Sequence, residues 1–175
     1  LTRKYAGTDK PHVRLTRRAV DPARLDFIDV ATSSHNHTDH LDAETLRPLL
    51  QANPKLELLV PRANVPFASE RLGTSPGRLA AIDAGETAEL AGFTFHAVPA
   101  AHESVERDEQ GCCRFLGYVV RFGPWALYHS GDTVPYPGMA QQVLGGRGPA
   151  AGLDVAILPI NGRAPQRRVA GNLTG

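Results

Sequence analysis

The chain has 175 residues, which at roughly 100–200 residues per domain makes one domain spanning residues 1–175. A chain of this size buries on the order of 70% of its unfolded surface, so a core can form without disulfide staples. Its 42% hydrophobic and 21% charged residues exclude global disorder. The 19 basic and 18 acidic residues leave a net charge of +1, so no single-sign field marks it as a nucleic-acid binder.

Charge is uneven only locally. Arg3, Lys4, Lys10, Arg14, Arg17 and Arg18 face the single acid Asp9, and the tail carries Arg163, Arg167 and Arg168. A solvated basic surface is the first reading of each cluster, and contact with an anionic substrate the second. The two cysteines, Cys112 and Cys113, are adjacent, a spacing that strains a disulfide. They also lack the spaced second pair of a structural zinc site. Reduced thiols in a cytoplasmic protein are expected. No apolar run of about 18 residues implies a membrane span, and LTRKYAGTDK has no apolar segment of a signal peptide.

In chain order, Leu25 to Thr32 reads as a buried strand that runs straight into Ser33, Ser34 and a histidine cluster. Asp42 is placed to cap a helix through Asn53, with Pro48 expected to kink or split it. Leu56 to Val60 reads as a second buried strand, and Asn64 to Leu72 as a short helix stopped by Gly73. Thr87 to Leu90 and Phe93 to Val98 flank Ala91-Gly92 as a hairpin. Phe115 to Phe122 and Trp125 to His129 flank Gly123-Pro124 as another. Met139 to Leu144 reads as a short helix, and Asp154 to Ile160 as a final buried strand. This order predicts an α/β (α+β) protein, a mixed sheet with helices packed outside it.

The residues with chemistry fall at predicted strand ends, where rigid scaffolds present function. His35-Asn36-His37-Thr38-Asp39-His40 packs three imidazoles and a carboxylate into six residues. In an extended segment His35 and His37 share a side and can share an ion, while Asp39 and His40 turn toward a neighbouring one. Imidazole and carboxylate suit zinc, iron, manganese or nickel, so ligand type does not choose among them. His102 follows the strand ending at Val98, and Asp132 lies in the turn Ser130-Gly131-Asp132-Thr133. A third imidazole completes one ion's set, and a carboxylate can bridge two ions about 3.5–4 Å apart. Taken singly, a loop histidine and a turn aspartate are unremarkable; after the first cluster, in this order, they read as ligands.

Other residues carry weaker signals. His129 precedes the Ser-Gly-Asp turn and points either into the pocket or to a neighbouring polar group. Asn161 and Arg163 follow the last strand and are candidates for substrate binding, since a guanidinium offers a planar fork to phosphate or carboxylate. His96 alternates within a strand and reads as structural, and His12 has no evident partner.

HNHTDH, then AAHE, then SGDT resembles the metallo-β-lactamase fold superfamily, over about Asp26 to Arg163. TSSHNHTDHLD, HSGDT and LPINGR look similar to its branch of bacterial ascorbate-6-phosphate lactonase-like proteins. The resemblance implies an αββα sandwich with the site at one edge of the sheets. It implies two divalent ions, zinc or manganese, with iron a third choice. His35, His37 and His102 would hold one; Asp39, His40 and Asp132 the other, with Asp132 bridging. The implied chemistry is hydrolysis by a hydroxide held between the ions, with Asp39 orienting the nucleophile or taking up a proton. This chemistry requires no serine or cysteine nucleophile, which disfavours a covalent serine hydrolase.

Within that chemistry a lactonase or ester hydrolase acting on a small, anionic or phosphorylated substrate is preferred. A phosphodiesterase of RNA-processing or phospholipid type is the alternative. A diiron oxidoreductase fits less well, because such proteins tend to replace a cluster histidine by a carboxylate. A non-catalytic metal staple fits least, since structural zinc favours closed sets with cysteine. Nucleic acid and membrane are not expected partners, and self-association is left open. No histidine follows His129, although the family's last metal histidine comes after a further strand. The family's first hairpin is also missing ahead of the basic N-terminal segment. The chain is therefore expected to be a portion of a longer protein, with the sandwich incomplete at both ends.

Overall fold

One strand shows how the layers arise. In Glu57–Pro61, Leu58 and Val60 join one apolar cluster and Leu59 another, because successive side chains of a strand alternate. All three are fully buried, so both faces of this strand are covered, as parallel strands between crossovers require. The computed structural model describes residues 5–9, 11, 13, 16–145, 152–160, 162 and 172–173.

Among these residues the elements run β1 (Val30–Thr32), α1 (Ala43–Ala52), β2 (Glu57–Pro61), α2 (Val65–Leu72), β3 (Leu79–Ile82), β4 (Thr87–Leu90), β5 (Phe93–Pro99), β6 (Leu116–Phe122), β7 (Trp125–His129), α3 (Met139–Gly145) and β8 (Val155–Ile157). The first sheet is β1-β2-β3, all parallel, with α1 and α2 as crossovers. The second is β4-β5-β6-β7-β8, antiparallel up to β7, with β8 returning parallel after α3.

Three clusters fill the spaces between layers. Leu46 and Leu49 of α1 and Ala68 and Leu72 of α2 pack on Leu58 and Val60. Leu59 and Ile82 meet Phe95, Ala97, Leu116 and Tyr118 between the sheets. Val98, Val119 and Tyr128 meet Val143 and Met139 of α3 on the far side. The order of layers is helix, sheet, sheet, helix, as expected for an αββα sandwich.

Several local expectations hold for the reasons given. Asp42 caps α1 by accepting from the Glu44 N–H, and Asn53 closes it. Gly73 ends α2 with φ +66° in the left-handed region. Ala91 and Gly92 both have positive φ, the geometry of a two-residue hairpin turn.

Others differ. Only the last three residues of the Leu25–Thr32 run form a strand. Asn53 explains the shortening: its side chain accepts from the Ile28 N–H and donates to the Leu25 carbonyl, taking backbone groups a neighbouring strand would need. Pro48 does not split α1; the bond it forgoes is to a first-turn carbonyl. β3 was not foreseen, because two central alanines weaken its apolar signal. The final strand is shorter than Asp154–Ile160 and is not buried: Val155 is 50% and Ile157 48% exposed, since β8 is the edge of its sheet. Both cysteines are free thiols, Cys113 buried and Cys112 partly so.

Candidate metal centre

The ends of β1, β5 and β7 lead into three loops that meet at one edge of the sandwich. The first loop is held from both sheets. The Ser33 N–H continues the ladder to the Leu59 carbonyl at 2.9 Å. The Tyr118 hydroxyl donates to the Ser33 carbonyl at 2.8 Å, and the Leu116 N–H to the Ser34 carbonyl at 2.9 Å. The His37 carbonyl then accepts from the N–H groups of His40 (3.1 Å) and Leu41 (2.8 Å). That single tight turn brings His40 back over His35, with ring centroids 4.0 Å apart.

The other two loops are tied to each other. The Ala101 N–H donates to Thr133 Oγ1 at 2.9 Å, and the Val134 N–H to the Ala101 carbonyl at 2.7 Å. Gly131 has φ +61° and sits against Ser34: a Cβ there would lie 2.7 Å from the Leu116 carbonyl oxygen and 2.8 Å from the Ser34 Cβ. Only glycine lets this turn approach so closely.

Five of the six residues expected as ligands converge. The ring of His37 lies 4.6 Å from that of His35 and 4.9 Å from that of His102. Ligand atoms of His35, His40 and Asp132 all lie within 4.8 Å of one another. His40 Nε2 is 3.3 Å from Asp132 Oδ1 and 3.7 Å from Asp39 Oδ2. Asp39, the sixth, stands at the rim with a 59% exposed side chain. The tight group of three draws one residue from the first implied ligand set and two from the second. Such spacing fits donors to one ion or to neighbours about 3.5–4 Å apart.

Burial and charge set the protonation of the cluster. His35 is 1% exposed, and burial, aided by His40, His37 and His102, drives its pKa down to about 2. His37 is also lowered, first by burial and then by His102. His40 moves the other way: burial opposes, but the hydrogen bond and charge of Asp132, with Asp39, raise it. His129 is lowered by burial and by His40.

These donors fit a divalent metal. The Ser34 hydroxyl occupies His35 Nδ1 at 3.0 Å, while His35 Nε2 is buried with no hydrogen-bond partner among the described residues. An orphaned buried nitrogen costs on the order of 1–3 kcal/mol unless something completes it. A neutral imidazole beside three further imidazoles and a carboxylate is completed by a cation. With no thiolate in the set, zinc, manganese, iron and nickel all remain compatible.

His129 sits beside this cluster, half-buried, and its Nδ1 accepts from the Gly131 N–H at 3.1 Å. It shapes the Asp132 turn and keeps its hydrogen on Nε2. His96 is at its strand position with Nδ1 3.2 Å from Thr87 Oγ1. Asn161, Arg163 and His12 lie outside the described residues. Phe115 was not singled out from the sequence, where it reads as the start of a strand. Its ring lies 4.8, 5.7 and 5.2 Å from those of His35, His37 and His102 and forms the apolar floor of the centre. Arg71 has no signal in the sequence either: its Nη1 donates to the Asn36 and Leu41 carbonyls on either side of the tight turn, and no sequence pattern connects it to that loop.

Residues 6–174 match the family model described as the beta-lactamase superfamily domain, and the chain belongs to that superfamily. A UPF0173 metal-dependent hydrolase of Myxococcus xanthus (strain DK1622) is 29% identical over 150 residues, covering 80% of this chain and 48% of the relative. The chain thus spans about half the length of that curated relative. Solved structures agree on the fold. One, described as a metal-dependent hydrolase from Parabacteroides distasonis ATCC 8503, aligns with TM-score 0.57 at 22% identity, covering 89% of this chain and 60% of that one. CmlA, a diiron β-hydroxylase from Streptomyces venezuelae, aligns with TM-score 0.60 at 20% identity, covering 84% and 31%.

Proposed function

We propose that the protein is a metal-dependent hydrolase that opens a lactone or related ester in a small substrate, anionic and phosphorylated ones included. The observation that carries this is the convergence of His35, His37, His40, His102 and Asp132 around a buried, unpartnered His35 Nε2. Membership of the superfamily supports it, as does the description of the Myxococcus relative as a metal-dependent hydrolase. The lactonase preference rests on the wording of HSGDT and LPINGR.

His35, His37 and His102 would hold one divalent ion, and Asp39, His40 and Asp132 a second, zinc or manganese before iron. Such ions supply Lewis acidity toward a water molecule and toward the electrophilic oxygen of the substrate. The chain's own groups do the rest. Asp39, exposed at the rim, accepts a proton from the attacking water. Asp132 holds His40 in place at 3.3 Å. His129 carries its hydrogen on Nε2, a donor suited to a substrate oxygen. Phe115 closes the floor and keeps solvent from the histidine side. Asn161 and Arg163 are retained as substrate contacts, Arg163 because its fork of donors matches a phosphate or carboxylate.

The test is metal content by elemental analysis, with turnover of a lactone and of a generic phosphodiester after reconstitution. About two ions per chain and metal-dependent lactone opening are expected. Asp132→Ala and His37→Ala should lower metal content and abolish turnover, by about 10³-fold or more. Full activity in either variant would sink the assignment, and turnover of the phosphodiester alone would move it to the rival chemistry.

A further inference from the structure

Two serines precede the metal motif, and they do different things. The Ser33 hydroxyl donates to the His35 carbonyl at 2.8 Å, an ordinary loop bond. The Ser34 hydroxyl lies 3.0 Å from Nδ1 of His35 and 2.9 Å from Nδ1 of His40. It is 4% exposed, and its backbone is held by the Leu116 N–H. The Gly131 turn lies close against it on one side. One buried oxygen therefore serves two histidines, one from each of the two ligand sets.

A hydroxyl has one hydrogen and two acceptor positions. A neutral ring that ligates through Nε2 carries its hydrogen on Nδ1, and that hydrogen points at Ser34. When one ring is so engaged, the Ser34 oxygen accepts from it, and its own hydrogen is left to donate to the second ring. A second ring receiving that bond has its hydrogen on Nε2, the atom an ion would need. Engaging both rings obliges Ser34 to turn its hydrogen away from both.

We propose that Ser34 is a positioning residue that couples the two ion positions, so that filling one holds the other back and loading proceeds in two separated steps. The inference rests on the two-ion reading above and deepens it. The coupling belongs to the hydroxyl: a methyl group in its place orients neither ring and transmits nothing between them.

Zinc alone, titrated calorimetrically into metal-free protein with a competing chelator, gives the two dissociation constants. The unaltered protein should bind in two separated steps. In Ser34→Ala the first step should weaken by about 10–100-fold, and the separation between the steps should narrow. Loss of a merely structural bond would lower the melting temperature of the metal-free variant without merging the steps. Ser34→Thr keeps a hydroxyl and should keep two separated steps, which also decides the matter if Ser34→Ala does not fold. Unchanged constants in Ser34→Ala, or merged steps in Ser34→Thr, would overturn the proposal. Absence of zinc binding in the unaltered protein would instead overturn the metal-centre reading itself.

Discussion

The two sheets supply the centre in different ways. The three-stranded sheet delivers four candidate ligands on one unbroken segment, His35 to His40, folded by its own tight turn. The five-stranded sheet delivers one residue from each of two loops, His102 and Asp132, joined through Thr133, Val134 and Tyr136. A contiguous motif takes its geometry from local chain, so its spacing survives in the sequence. A dispersed pair takes its geometry from strand register, and its spacing in sequence means little by itself.

The sharpest way to break this comparison is at the contact between the two halves. Gly131→Ala places a methyl group 2.7 Å from a backbone oxygen and 2.8 Å from the Ser34 Cβ, at a backbone angle that disfavours side chains. Neither neighbour is the free end of a flexible chain, so the backbone must shift. A loss of about 3 kcal/mol in denaturant unfolding is expected, together with a fall in bound metal. A variant as stable as the parent would mean that the two halves are not rigidly abutted.

The cluster of both halves can be probed by pH, because its histidines lie at different depths. His35, His37 and His129 are lowered, each chiefly by burial, from 6.5. The unfolded chain then binds more protons than the folded one below about 6.5, so these groups cost stability as the pH falls from there. His40 is raised, against burial, by Asp132 and Asp39, so it favours folding below about 6.5 and loses that contribution as the pH rises through its folded value. Three groups oppose one, and His35, driven to about 2, has the widest window. The metal-free protein should therefore melt about 5 °C lower at pH 5 than at pH 7. In His35→Gln the difference should shrink; the same difference in both would place the pH dependence elsewhere.

The sequence carries the site more fully than it carries the sheets. HNHTDH, His102 and Asp132 were legible because metal chemistry restricts residue type and order, and the structure brings all but the rim residue Asp39 into one cluster. Phe115 was not, since a phenylalanine at a strand start looks like any core residue until three imidazole rings are found around it. The layer order came from the family resemblance; the order of elements alone predicts one mixed sheet with helices outside, where the structure has two sheets face to face. The length of β1 followed from neither, because it depends on the Asn53 side chain reaching back across 25 residues to Ile28. β8 misled for a related reason: apolar content reports burial only when a neighbour exists to provide it, and among the described residues β8 lies at an edge.

The smallest expected effect separates two arginines that look alike in sequence. Arg62 pairs with Glu86 at 2.7 Å on an exposed surface, both side chains more than 40% accessible. Arg71 stacks on Phe67 at 4.2 Å, and its Nη1 donates to the Asn36 carbonyl at 2.7 Å and the Leu41 carbonyl at 3.3 Å. Those carbonyls bracket His37 to His40, so one guanidinium nitrogen spans the tight turn that carries three candidate ligands. Arg71→Met keeps the apolar stem and removes the donors. It should cost about 1–2 kcal/mol of stability and about tenfold in metal affinity. Arg62→Met, lacking only a solvated ion pair, should cost about 0–1 kcal/mol and leave metal affinity unchanged. Equal metal affinity in both variants would show that the local turn alone shapes the contiguous half, with no help from α2.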